Sequence, residues 1–124
     1  MREIKTDKAQ SAVGLLSQAI EVNGLIFTAR FIHVKPDGSM VNGPTEDKLK
    51  QIMTNINEVL KAGGSSLNDI VKATIYVTDM SILGDFNKLY ATYFSAPLPA
   101  REAVCVKELP LGASIEVSVI ARKQ

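Results

Sequence analysis

The sequence predicts an α+β fold, a mixed β-sheet with two helices packed on one face. Three observations carry this reading: an Asn23-Gly24 pair between two apolar runs, two stretches whose apolar residues recur at helical spacing, and an alternating, β-branched run between those stretches. Taken in order, Ala19–Val22 and residues 25–32 read as strands joined by Asn23-Gly24, because both turn residues tolerate positive φ. Lys35-Pro36-Asp37-Gly38 marks a turn. Thr45 is then placed to cap a helix with Glu46 and Asp47 in its first turn. Leu49, Ile52, Met53, Ile56, Val59 and Leu60 form its apolar stripe. Gly63-Gly64 ends it, since glycine accepts the left-handed conformation of a helix stop.

Ile70–Val77 alternates and is rich in β-branched residues, which predicts a strand with one better-buried face. Helix followed by strand suggests a crossover. Ser81 is placed to cap a second helix with Leu83, Phe86, Leu89, Tyr90, Tyr93 and Phe94 on one side, and Pro97-Leu98-Pro99 stops it. Two further strands are expected at about 102 to 108 and 113 to 121. With both helices on one side, the other sheet face is left apolar and uncovered, a face that small proteins commonly hide by association of subunits.

Residues 1–124 are expected to form one domain, long enough for a real core and too short for two. A net charge of +1, with no basic run and few aromatics, gives no field for a phosphate backbone, so no nucleic-acid partner is expected. No apolar run approaches the roughly 20 residues of a membrane span, and the polar start Met1-Arg2-Glu3-Ile4-Lys5 lacks a secretion block; a cytoplasmic protein without membrane contact is expected. One cysteine and one histidine cannot form an internal disulfide or the usual zinc ligand set, so no metal is expected.

Two charged side chains stand inside segments that otherwise read as buried strands. Burying either a guanidinium or a carboxylate costs several kcal/mol unless it meets a partner. Arg101 follows Pro99-Ala100, and its planar donor fork suits a two-point grip on a carboxylate; a salt bridge from sheet to helix is the other possibility. Glu116 points away from Ile115 and Val117, on the side of Ser114 and Ser118. There it is either a general base that draws a proton from water, or the ion partner of Arg101 or of a neighbouring subunit's lysine. Cys105 reads as a small buried hydrophobe and His33 as a surface or packing residue. Asn87 is placed on the second helix to line a cleft. Gly63-Gly64-Ser65-Ser66 follows a helix rather than a strand and is a helix stop, not a phosphate cradle.

The block from Pro99 to Val117, with Gly63-Gly64-Ser65-Ser66-Leu67, a strand running into Thr78-Asp79-Met80, and Phe86-Asn87-Lys88-Leu89-Tyr90, resembles the Rid family of reactive intermediate deaminases, also called YjgF-type proteins. The resemblance spans about Ser17 to Ala121. It implies a chorismate-mutase-like fold and a homotrimer with clefts between neighbouring subunits. The implied reaction is cofactor-free hydrolysis of 2-imino acids or their enamine tautomers to 2-keto acids and ammonia. By position it assigns Arg101 to the substrate carboxylate and Glu116 to the water, with Ala103 and Asn87 lining the cleft.

The chain departs from the family pattern in its own way. Leu16 stands where a tyrosine is common, Arg30 where a glycine is, Ala103 where a cysteine is frequent, and Glu102 where a small residue is usual. Arg30 either fills the cleft, pairs with Glu116 and silences it, or adds a second grip for anions. A trimeric module that binds a small carboxylate or metabolite without turnover is therefore the alternative to a deaminase. Ribonuclease activity, a label sometimes attached to the family, finds no support in a near-neutral chain without a histidine pair.

Overall fold

Strand Ile70–Val77 (β5) leaves the sheet, returns through helix Leu83–Ala91 (α2), and lies parallel to strand Ala100–Cys105 (β6); every other pairing in the sheet is antiparallel. A computed structural model describes residues 1–12 and 14–124. The remaining strands are Arg2–Ile4 (β1), Ala19–Val22 (β2), Leu25–Thr28 (β3), Phe31–Ile32 (β4) and Ile115–Arg122 (β7), and helix Thr45–Ala62 (α1) joins the two halves. The sheet order is β1-β2-β3-β7-β5-β6, with β4 also on β7. The predicted mixed sheet with two helices is thus what the chain forms.

Alternation assigns the faces. Ala73, Ile75 and Val77 of β5 and Ile115, Val117, Val119 and Ala121 of β7 point to one side. They make a single core there with Leu49, Ile52, Met53, Ile56, Val59 and Leu60 of α1 and Phe86 and Tyr90 of α2. The opposite face is covered at one end by the loops after β4 and β6, through Ile32, Val34, Leu109, Ala113 and the partly buried Tyr76 and Val106. At its other end Val22, Leu25 and Phe27 stand exposed beside Ile20 and Ile120, the uncovered apolar surface that helices on one side imply. Among the described residues no helix is long and apolar enough to cross a membrane.

Local chemistry explains both the agreements and the corrections. Asn23 (φ 52°) and Gly24 (φ 78°) make the expected hairpin turn. The α1 stop closes as predicted, with Ser65 N–H on the Leu60 carbonyl at 2.8 Å. Thr45 is not a cap: Pro44 holds that position without a side-chain hydrogen bond, and Thr45 opens the first turn. Nor does Ser81 cap α2. Asp79 accepts from Ser81 N–H at 2.9 Å and starts a short 3₁₀ turn, Met80–Ile82, that feeds the helix. β6 runs from Ala100 to Cys105 rather than 102 to 108, because its ladder on β5 ends where β5 ends, at Val77 opposite Cys105. β7 likewise starts two residues later than expected. β1 was not anticipated; it is secured by buried Ile4 and by an Arg2–Glu21 ion pair at 3.3 Å.

The segment 25–32 is broken rather than continuous, and the break shapes the site. Phe27 pairs with Ile120 but Phe31 pairs with Val117, so one extra residue is absorbed between them. Thr28 Oγ1 accepts from Val119 N–H at 2.9 Å inside the bulge, and Ala29 N–H donates to the Gln18 carbonyl at 2.8 Å. The shift turns Phe31 into the helix-side core and Ile32 to the side of its partner Glu116.

Candidate active site

Glu116 sits in β7 between Ile32 of β4 and Tyr76 of β5, on the face away from the helices. It is only 4% exposed, and its Oε1 accepts no hydrogen bond among the described residues. Burial pushes its carboxyl above the ordinary glutamate range, and the charge of Arg30 pulls it part of the way back. Arg30 projects from the bulge, its guanidinium 5.0 Å from the centre of the Tyr76 ring and its Nε 3.7 Å from Glu116 Oε1. That distance makes an ion pair and not a hydrogen bond. Of the roles the sequence left open for Arg30, the structure brings it to Glu116. Neither Arg101 nor a lysine of the same chain lies within ion-pair range of that carboxylate among the described residues.

Arg101 belongs to the other side. It lies opposite Ala73, whereas Glu116 lies opposite Tyr76, three residues along the same strand, so the two side chains leave the sheet from opposite faces. Within one chain they do not meet. The Arg101 guanidinium lies over the rings of Tyr90 at 4.8 Å and Phe86 at 5.5 Å, and its Nη2 donates a hydrogen bond to Asn87 Oδ1. The predicted alternative of a salt bridge between sheet and helix is replaced by this aromatic and amide seat. Among the described residues no carboxylate pairs with Arg101. Ala103, two residues on, is half-buried against the helix-side core opposite Ile75. Asn87 is exposed and reaches Arg101, so its direct contact is with the guanidinium.

Leu16 is exposed. With Gln10, Gln18, Arg30 and Phe31 it lines a depression of about 190 Å³ beside the bulge. Gln18 is buried and holds the surrounding loop, accepting from Thr6 N–H at 2.7 Å and donating to the Gln10 carbonyl at 2.7 Å. Gln10 Oε1 in turn accepts from Ile32 N–H at 3.0 Å.

Cys105 is exposed and not the small buried hydrophobe expected, because it ends an edge strand with no strand beyond it among the described residues. His33 is a packing residue. Ser114 N–H can only donate, at 3.0 Å to Nε2, so the ring proton sits on Nδ1 and is donated to the Val41 carbonyl at 2.8 Å. Burial holds this imidazole below the usual histidine range, and the nearby Lys48 charge works in the same direction. Sequence reasoning did not single out Tyr76 or read Tyr90 as more than core, yet each is the platform of a guanidinium. Alternation in β5 was the available signal for Tyr76, which must face away from Ile75 and Val77. Tyr90 carries a buried hydroxyl without a partner among the described residues, and burial raises its ionisation above the usual tyrosine range.

These features can be set beside known proteins. A family model described as Endoribonuclease L-PSP matches residues 6–123. A RutC family protein of Aquifex aeolicus is 44% identical, over 99% of this chain and all of its own length. The mouse protein named 2-iminobutanoate/2-iminopropanoate deaminase is 40% identical, over 95% of this chain and 88% of its own. The crystal structure of RidA from an Antarctic Psychrobacter superposes with a TM-score of 0.93 at 34% identity, covering 98% of this chain and 99% of the other. With the matched family spanning nearly the whole sequence, and the sheet, crossover and helices in the same arrangement, the chain belongs to the endoribonuclease L-PSP family, the group also called YjgF or Rid proteins.

Proposed function

We propose that this chain hydrolyses 2-imino acids or their enamine tautomers to 2-keto acids and ammonia, in a cleft completed by a neighbouring copy. The observation that carries the reading is a buried carboxylate whose Oε1 accepts no hydrogen bond and meets only the non-bonded Arg30 on one face, with an arginine that has no anionic partner among the described residues on the other. Because one chain holds them on opposite faces, a homotrimer that juxtaposes one copy's Arg101 with the next copy's Glu116 makes a working site. The exposed Val22, Leu25 and Phe27 supply an apolar surface for such an assembly.

In this mechanism Arg101, seated on Tyr90 and Phe86 and held by Asn87, grips the substrate carboxylate and so fixes the adjoining C=N carbon. Glu116 holds a water and takes its proton as the oxygen bonds to that carbon. The resulting tetrahedral carbon expels ammonia after the proton passes to nitrogen, leaving the keto acid. A carboxylate raised by burial is a stronger base than an exposed one, which suits the task. The chemistry uses no cofactor. The named deaminase among the relatives supports this class of reaction.

The test generates imino acids in situ with an amino-acid oxidase and follows keto-acid release. Acceleration by the parent chain, lost in Arg101→Ala, is expected; no acceleration across several imino acids rejects the reading. Arg30 beside Glu116 favours a second reading, capture of a small carboxylate without turnover. It predicts that a keto acid raises the melting temperature while no imino acid is consumed faster.

A further inference from the structure

We propose that Arg30 is the fixed counter-charge of Glu116, a positioning residue that keeps this buried carboxylate ionised. The inference rests on the deaminase reading for its catalytic meaning, but its physical content can be measured without turnover.

Glu116 lies in surroundings that oppose a charge. Ile32 flanks it on β4, the Tyr76 ring on β5, and the loops carrying Leu109 and Ala113 close over that end of the sheet. Two residues earlier, Ser114 engages neutral His33 through its N–H and Lys48 through its Oγ at 3.0 Å, so both of those groups are already bound to Ser114. Arg30 is the one cation within ion-pair range of Glu116 among the described residues.

The placement of Arg30 is built rather than incidental. The bulge moves residue 30 out of the ladder, Ala29 N–H is tied to the Gln18 carbonyl, and Gln18 is itself buried and fully engaged. The guanidinium then rests on Tyr76, the residue directly opposite Glu116 across the ladder. Stacking leaves a plane with little freedom, which suits a charge that must stay near the carboxylate without bonding to it. At 3.7 Å Arg30 donates no hydrogen bond to Oε1, so the ion pair leaves this buried oxygen without a hydrogen-bond partner among the described residues. A hydrogen-bonded arginine would stabilise the anion but occupy the base; a non-bonded one stabilises it and leaves it usable.

The test is a carbon-13 NMR titration of the glutamate carboxyls in the whole protein, with Glu116 assigned by its loss in Glu116→Gln. It is run on the parent, Arg30→Met and Arg30→Lys. Arg30→Met is expected to move the Glu116 titration to higher pH, and Arg30→Lys to return it most of the way. Where turnover is measurable, the acid limb of kcat/KM should move with the carboxyl in each variant, judged against that variant's own plateau. An unmoved Glu116 titration in Arg30→Met overturns the proposal, as does a shift that lysine fails to reverse. If the titration moves as expected but no variant accelerates any imino acid, the counter-charge stands and the deaminase reading falls.

Discussion

Replacing Glu116 by glutamine should stabilise the fold at neutral and higher pH while removing deamination. The two side chains have the same shape, and Oε1 is already without a hydrogen-bond partner, so the exchange isolates the charge. Taking a carboxylate out of water costs several kcal/mol after relaxation. The compensating ion pair is 3.7 Å long, and the Arg30 side chain is 56% exposed. A pair at that separation is worth about 1 kcal/mol in water and about 4 kcal/mol in a partly screened site. Exposure of one partner places it toward the lower end, roughly 1–2 kcal/mol. A residual penalty of about 1–2 kcal/mol is therefore left on the charged form, which corresponds to a Tm rise of roughly 4–8 °C in Glu116→Gln.

The pH dependence follows from the direction of the shift. Folding raises the Glu116 carboxyl above its ordinary value of 4.5, so its contribution to stability is complete below that pH and is lost as pH rises through the folded value. Parent and variant should unfold nearly together at pH 4 and separate at pH 8. Thermal unfolding at the two pH values and one protein concentration measures this, alongside an expected loss of about 10²–10⁴-fold in kcat. A variant less stable than the parent at pH 8 would refute the claim that the carboxylate is held at a cost.

Asn87→Ala should lower kcat/KM for imino acids by about 10-fold, mainly through KM, because a hydrogen bond to a charged group is worth roughly 1.5–3 kcal/mol and the aromatic seat of Arg101 remains. In the parent, the His33 contribution to stability should be complete above about pH 6.5, the unfolded value, and fall away as the pH drops below it, since the folded ring resists protonation. His33→Gln should flatten that slope in urea titrations at pH 7.5 and 5.5. Phe27→Asp, on the open sheet face, should shift sedimentation toward the single chain and abolish turnover, while far-ultraviolet circular dichroism is retained.

Much of the fold was legible because periodicity reports burial directly. The α1 stripe, the Asn23-Gly24 turn and the alternation of β5 all describe which side chains leave water; every apolar residue of the stripe is buried and the turn forms, while β5 alternates from Ala73 to Val77 after a bulge that buries Ile70 and exposes Val71. Caps were misjudged because Thr45 and Ser81 are good capping residues in places where Pro44 and Asp79 hold the position instead. β1 is three residues long, too short for any pattern. Alternation in β6 gave the side on which Cys105 points but not its exposure, since an edge is a property of the whole sheet. For the site, the expectation of a charge inside a buried strand holds for Glu116, whereas Arg101 stands in a largely exposed edge strand, where burial does not demand a partner. Their actual partners were out of reach of the sequence: Asn87 with two rings in one case, and in the other an arginine whose direction depends on a bulge.

That bulge has a wider implication for how the segment can change. The single surplus amino acid between the Phe27–Ile120 and Phe31–Val117 pairs lifts residue 30 out of the ladder, and the identity of residue 30 has no part in the interior. Deleting Ala29 would leave a regular ladder in which Phe31 still lies opposite Val117 and Ile32 opposite Glu116, and would draw residue 30 into that ladder. Exchanging the side chain at position 30 leaves the hydrophobic layers untouched. The scaffold thus offers a spot where the electrostatics of the pocket can be retuned by point substitution without disturbing the architecture that holds it.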